Sequence, residues 1–569
     1  MMRVRAASTH HPAAQNVQWD VSKSATINDL LRRLSDAIVP TWATGWRWRP
    51  QPSKADYDKF IAASKDALNA VRITGDWQAI PSLLDILSHD NADIRDFGGT
   101  VVADLAAFIP VEALPGFEGR LRDSTLRAYS WNTLRVEEVV KQEWPLRVWA
   151  MFTMHPNGYV REAALRHLAS AGDFKIALPY FLLRVNDWVS QVRTVATGAI
   201  KSLIDTKDAA PWVPVLGLLD QLRLRSRADH AWLLDEVTLL FLRAGSPTEL
   251  RDAAGSEDPA VARWAFRAAM NLPEADRVMF IRLAIESPDP IVRLRAATAV
   301  RAWKGCPGRE RLLERMAADC FMPVRRESLY AALDGTPEDR RAFLYSMLLD
   351  RHAGIRHAAR FYLRDQPRQA VDPFDARTFY VDAITTAKSG VLAAAIAGLG
   401  ECGHKADAES LMRYLSERRP SVAAAAVRAI ASLDHEQRIA WFVELLRDDR
   451  PAVAREACRA LLPRSNVAPV QALRKVLQEG CGHSRRLALR VLLRRHPYDA
   501  VADAVLAIGS GDAILARVGS EFIEWAMPWR VSYGPSEVQK TAVLSAIANL
   551  PQPLPSSLRK RLGDFMGFS

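Results

Sequence analysis

The chain has 569 residues, 49% hydrophobic and 25% charged, with a formal net charge of +11. These proportions sit near the globular average and exclude wholesale disorder and collagen-like structure. The length corresponds to about three to four domains of roughly 150 residues, unless the chain is a repeat array, which escapes that count.

The longest apolar run, VLAAAIAGLG at 391–400, is about half of what a bilayer crossing requires, so no transmembrane helix is expected. The N-terminal MMRVRAASTHHPAAQN has arginines but no apolar stretch, and no secretory signal is expected. Cys306, Cys320, Cys402, Cys458 and Cys481 are scattered and odd in number. They suit a reducing compartment rather than a disulfide framework, and a cytoplasmic location is expected. The excess positive charge is local. Residues 51–450 carry 53 basic and 53 acidic side chains, whereas residues 451–500 carry ten and three, and residues 1–50 seven and three.

In chain order, residues 1–74 read as an N-terminal arm and cap. They hold Trp19, Trp42, Trp46 and Trp48 with Arg47 and Arg49, outside any repeat. A cover for the apolar face of the first repeat is the structural reading; Trp and Arg stacked on bases is the other.

From residue 75 to 525 a pattern recurs: an acidic or polar turn, often with proline, then Val or Ile, often Arg, then a helix rich in Ala and Leu. Its apolar anchor falls at Ile94, Val160, Val192, Val261, Val292, Val324, Ile355, Val422 and Val453. Degenerate copies fill the wider gaps at Leu126, at 225–237 and at 389–399, and two more follow at 482–493 and 511–523. A second apolar helix is expected before each turn, as in WQAIPSLLDILS (77–88) and IAWFVELLRDD (439–449). Apolar spacing of three and four is helical, and no period-two alternation appears. The remaining residues, 526–569, read as a C-terminal cap.

This pattern resembles the HEAT repeat family, in particular its short bacterial-type HEAT-like members. The residues that carry the likeness are Pro259, Pro290, Pro323, Pro420 and Pro451, Asp258, Asp289, Asp319 and Asp350, and Arg95, Arg161, Arg193, Arg263, Arg293, Arg325 and Arg356. Ala423 stands where other copies have Arg. The resemblance implies an all-α fold, an α-solenoid superhelix of about fourteen helical hairpins between two caps. It also implies that the recurring Asp and Arg are structural, with Arg lying against the turn acid of its own or an adjacent unit.

Tests for chemistry return little. GLGECG (398–403) has the spacing of a dinucleotide-binding turn, but that turn follows a strand, and an Ala-rich helix precedes it here. Its glycines read as the stop of that helix. The CGH triplets at 402–404 and 481–483 lie too many repeats apart to share a zinc ion. No metal and no cofactor are expected. HEAT-like DNA glycosylases exist, but no catalytic residue maps onto this sequence.

The remaining signal is basic. A 100° step places Arg486, Arg490 and Arg494 on one stripe, flanked by Arg485 and Arg495, with Arg474 and Lys475 in the preceding unit. Rows of guanidinium groups suit phosphates or an acidic protein; the ordinary reading is a solvated face over apolar neighbours. The function expected is therefore a non-enzymatic scaffold or adaptor that binds a macromolecular partner, foremost a protein, on a concave face. Nucleic-acid binding through residues 455–495 is the alternative, and a glycosylase-type enzyme ranks last. The oligomeric state is open.

Overall fold

The computed structural model describes residues 29, 53–122, 131, 134–243, 247–364, 374–386, 390–525 and 534–568. The Trp/Arg-rich stretch at 42–49, the copy at Leu126 and most of the segment 524–535 lie outside these residues. Among the described residues there are 31 α-helices, joined by short 3₁₀ helices and turns, and no strand. No single helix among them is long and apolar enough to cross a membrane.

The chain divides into two compact units, Met1–Ala299 and Val300–Ser569. Each is an α-solenoid of stacked helical pairs. In the first unit, helix Ala92–Ala106 packs on Lys54–Ile73 and on Leu146–Phe152, and Gly158–Ala171 packs on Ser190–Asp205. In the second, Leu392–Cys402 packs on Pro420–Leu433, which packs on Pro451–Leu461, which in turn packs on Gly482–Leu492.

The recurring turn builds these layers by a local mechanism. Proline is the first residue of helices Pro259–Ala269, Pro290–Ala302, Pro420–Leu433 and Pro451–Leu461, where its fixed φ suits the helix and its missing N–H has no intrahelical acceptor to lose. Asp258 caps the first of these by accepting from the Ala260 amide at 2.8 Å, which satisfies a donor that the helix leaves open. The anchors Ile94, Val160, Val192, Val261, Val292, Val324, Ile355, Val422 and Val453 are all buried. Each enters the core in the first turn of its helix, so the turn and the packing register are fixed together.

The first helices are less regular than the spacing predicts. The stretch 77–88 is not one helix but a 3₁₀ turn (Trp77–Ala79), a single α-turn (Ile80–Leu83) and another 3₁₀ segment (Leu84–Ser88). Pro81 lies within it, and a proline ring collides with the carbonyl four residues back, so an α-helix cannot run through. Helix Ile439–Leu445 is likewise short and is preceded by a 3₁₀ turn, Glu436–Arg438.

The glycines of GLGECG also differ from expectation. Gly398 and Gly400 lie inside helix Leu392–Cys402 rather than at its end. Only Gly403 sits at the C-cap, and its backbone is extended, not left-handed. A Cβ on Gly400 would come within 2.6 Å of both Cα and Cβ of Ala429, and one on Gly398 would lie 2.1 Å from the Tyr380 ring. Gly400 lets two helices touch backbone to backbone and Gly398 makes room for the Tyr380 ring; both are packing positions.

In the C-terminal region, helix Glu537–Ala548 packs on Pro497–Ile508, and Ser556–Met566 packs on Ala513–Trp525. Val543, Leu558, Leu562 and Met566 are buried against Tyr498, Val501, Val505 and Ile523. Ser536 and Gln539 form a reciprocal capping box at the start of Glu537–Ala548, the side chain of each accepting from the other's amide.

The close helix approach gives a direct test. Gly400→Val should destabilise the second unit by about 1–3 kcal/mol through overpacking against Ala429. The shift in urea midpoint checks this, with Ala393→Val, at a half-buried position of the same helix, as the comparison.

An arginine ladder and a candidate binding groove

Six of the seven in-phase arginines, all but Arg263, share one geometry. Arg161 Nη1 donates to the carbonyls of His155 and Pro156 at 2.9 and 2.8 Å, and Arg325 Nη1 does the same to Asp319 and Cys320 at 2.9 and 3.2 Å. Arg193 reaches the carbonyls of Asp187 and Trp188, and Arg293 those of Ser287 and Pro288. Arg95 donates to His89 O and Arg356 to Asp350 O. In each case the acceptors lie at or just beyond the end of the first helix, where carbonyls lack intrahelical partners and carry partial negative charge.

In Arg161, Arg263 and Arg325 the guanidinium also reaches into the next repeat. Arg161 donates to both oxygens of Asp187 at 3.0 and 2.8 Å, 26 residues on. Arg263 pairs likewise with Asp289 at 2.7 and 3.0 Å, and Arg325 with Asp350 at 2.7 and 3.0 Å. The bound aspartates are themselves turn caps: Asp187 accepts from the Val189 amide and Asp350 from the His352 amide. Asp319 caps the Phe321 amide at 2.6 Å. Arg356, with Arg360, turns instead to Glu401.

Several rungs were not visible in the repeat phase. Arg377 pairs with Asp407 and Arg428 with Glu456, again both bidentate and one repeat apart. Arg428 lies on the helix in which Ala423 replaces the usual Arg, so the rung is moved along that helix rather than lost.

The seven candidate ligand residues separate into two groups. Arg474 donates to the buried Asp503 at 2.6 Å. Arg495 lies 3.6 Å from Asp503 and 3.8 Å from Asp499, and is mostly buried. Arg485 donates to the carbonyls of Leu477 and Ser510 and lies 3.8 Å from Asp512. These three are held in place by their own repeats. Lys475 is exposed on helix Val470–Glu479 and is not among the groove residues described next.

Arg486, Arg490 and Arg494 are exposed, and all three line one groove of about 840 Å³. Its apolar surface comes from Leu462, Leu489, Leu493, Leu515 and Val518, which belong to three successive repeats. Among the described residues Arg486 Nε donates to Gly482 O of its own helix, at 3.0 Å. The Asp512 carboxyl, lowered first by hydrogen bonds from backbone amides, is lowered further by the Arg486 charge. Arg490 and Arg494 have no side-chain acceptor among the described residues. Beneath them, burial pushes the Cys458 thiol up to about 11, against the lowering influence of Arg490 and Arg459, so this thiol stays protonated and inert.

The CGH triplets do not converge. Cys402 closes helix Leu392–Cys402, and Cys481 opens Gly482–Leu492, its sulfur 3.2 Å from His483 Nδ1. Among the described residues, no three side chains of metal-ligating type come together.

A family model described as HEAT repeats matches residues 409–494. That part of the chain carries HEAT repeats. The match includes the rung Arg428–Glu456 and the groove residues from Leu462 to Arg494. No curated protein matches the sequence. Among solved structures, importin beta is 14% identical, over 92% of this chain and 67% of that one, with a TM-score of 0.31. Karyopherin Kap121p bound to the extreme C-terminus of the protein phosphatase Cdc14p is 13% identical, over 97% of this chain and 62% of that one, with a TM-score of 0.33. A structure concerning tubulin recruitment by TOG domain arrays is 10% identical over 74% of this chain and 99% of that one, with a TM-score of 0.23.

Two tests follow from the ladder. Arg325 and Asp350 are about 4–5% exposed, so Arg325→Met strands a buried carboxylate and should destabilise by about 3–5 kcal/mol. Adding Asp350→Leu should recover much of that loss; chemical denaturation of the single and double variants measures both.

The second test uses pH. Burial pushes the Asp187 carboxyl up, but hydrogen bonds from Arg161 and the Val189 amide outweigh it and leave the group below its ordinary value. The Arg263 bond lowers Asp289, and the Arg377 bond lowers Asp407. A folded-state value below the unfolded one means that the contribution is complete above the ordinary aspartate value of 3.8 and is lost as pH falls through the lowered values. Denaturation midpoints should therefore drop steeply below about pH 4, and Asp289→Asn should make that acid limb shallower.

Proposed function

We propose that this chain is a non-enzymatic scaffold that docks a protein partner in the arginine-rimmed groove of its second unit. The observation that carries the proposal is the contrast within residues 451–500. Arg474, Arg485 and Arg495 are bound to carboxylates or carbonyls, whereas Arg486, Arg490 and Arg494 face solvent beside an apolar floor. A surface with a row of exposed guanidinium groups beside a partly covered apolar floor, Leu462, Leu493 and Val518 being half-buried, matches a segment that is acidic on one side and apolar on the other. Arginine also donates bidentately to carboxylates, which adds directional specificity to the charge attraction.

Nucleic acid is the second reading, supported by the excess of ten basic over three acidic residues in 451–500. Backbone phosphates need the arginines but have no use for Leu493 and Val518. The two partner classes therefore respond differently to substitution.

The deciding experiment is quantitative affinity purification from the native host with three baits. These are the wild type, a rim variant (Arg486→Glu, Arg490→Glu, Arg494→Glu) and a floor variant (Leu493→Ser, Val518→Ser). A protein partner in this groove should be depleted at least about tenfold with both variants. Recovery of DNA or RNA that the rim variant loses and the floor variant keeps would replace the protein by a nucleic acid. A partner set unchanged in all three baits would remove the groove from the function.

A further inference from the structure

A second cationic site lies in the first unit, and neither the repeat pattern nor the basic block of the sequence pointed to it. Between helices Leu114–Arg122, Phe174–Arg184 and Leu216–Gln221 is a cavity of about 250 Å³. Four arginines from separate parts of the chain line it: Arg122, Arg184, Arg225 and Arg227.

The charge balance at this cavity is unequal. Arg161 and Arg184 share the carboxylate of Asp187, with Arg184 Nη1 at 2.8 Å from Oδ2. Arg184 also donates to Glu118 through Nη2, and Arg122 lies 2.7 Å from the same Glu118 oxygen. Three guanidinium groups thus rest on two carboxylates before the rim is counted. Arg225 and Arg227 add two more positive charges at the exposed edge, with Arg227 stacked at 4.1 Å over the Trp188 ring. Neither rim arginine is paired with a carboxylate among the described residues.

Two further observations describe the same charge imbalance. Arg184 is 2% exposed, yet its Nε has no acceptor among the described residues. A buried donor left open costs free energy, and it leaves part of the Arg184 charge unsatisfied beside the cavity. Burial and the charges of Arg184 and Arg161 act against Arg122, whose guanidinium is held below its ordinary value despite Glu118. A cluster of like charges in a half-enclosed space is stabilised by an anion that brings the opposite charge.

We infer that this cavity binds a phosphoryl dianion, between Arg184 at its base, Arg122 at its side, and Arg225 and Arg227 at its rim. The excess of three positive charges favours a dianion over a single carboxylate, and planar guanidinium forks match phosphate oxygens in pairs. The volume is below that of ordinary cofactor pockets, which fits a phosphoryl group with at most a small substituent. The group can arrive as free phosphate or on a phosphorylated side chain, and the same chemistry serves both. This site is separate from the groove in Val300–Ser569 and does not depend on that groove's function.

The test is calorimetric titration of the full chain at constant ionic strength with three probes: inorganic phosphate, O-phosphoserine amide and acetate. Inorganic phosphate should bind with one site per chain and acetate at least about tenfold more weakly, since a monoanion satisfies fewer of the guanidinium donors. Arg225→Gln with Arg227→Gln, both at exposed positions, should weaken phosphate at least about tenfold while lowering the thermal midpoint without ligand only slightly, through loss of the Arg227 stack on Trp188. Arg122→Gln should weaken phosphate likewise, and a circular dichroism melt identifies any misfolding in that variant. O-phosphoserine amide binding more tightly than phosphate would assign the site to phosphorylated side chains, and equal or weaker binding to free phosphate. Absence of phosphate binding, equal binding of acetate, or full binding by the Arg225/Arg227 variant would each overturn the proposal. The groove variants serve as a control, because loss of partner binding there leaves this titration unaffected.

Discussion

A single pair of short helices cannot hide its apolar side from water, so each hairpin in this chain folds only against the next. Hydrophobic contact drives that stacking, but it is non-directional and tolerates sliding. The guanidinium fork supplies the missing direction. Arg161 and Arg325 each hold the turn of their own repeat with one edge and the aspartate of the next repeat with the other, and Arg263 holds Asp289 of the next repeat. A shift of register would leave a buried carboxylate and a buried guanidinium without partners, which is far more unfavourable than a loose apolar contact. The turn, the cap and the stacking of neighbours all depend on this one residue type in one place.

The same chemistry decides which arginines remain available to anything else. An arginine whose reach includes a buried aspartate is consumed by the scaffold, as Arg474 is by Asp503. One that points away from every carboxylate stays on the surface, as Arg490 and Arg494 do. Net charge is therefore a poor guide to a binding surface in an arginine-rich array, and pairing is a better one. The first-unit cavity follows the same logic, because its guanidinium groups outnumber the carboxylates within reach.

The helical class and the repeating turn were legible in the sequence because they rest on local rules. Proline at a helix start, aspartate before it and a valine two residues later read directly from spacing. What the spacing does not contain is the partner of each charge. Asp503 and Asp512 lie in the repeat after Arg474 and Arg485, beyond the range of a helical wheel, so seven basic residues looked equivalent when only three share the groove. Asp187 lacks the proline that marks other turns and was passed over, although it receives two arginines. Gly398 and Gly400 resembled a helix stop because a glycine pair near a helix end usually is one; the Ala429 backbone that requires Gly400 is some thirty residues away.

The bidentate rungs of the ladder join residues 25 to 30 apart, and the pairing of Arg356 with Glu401 spans 45. Contacts of such short sequence range close small loops and carry little entropic penalty, the condition associated with rapid folding of helical proteins. Within each unit, order can then spread from one hairpin to its neighbour without waiting for distant segments to meet. A chain emerging from the ribosome could complete one rung with each new repeat. The arginine that fixes spacing in the finished array would then also act as a latch during synthesis, closing as soon as the next aspartate is available.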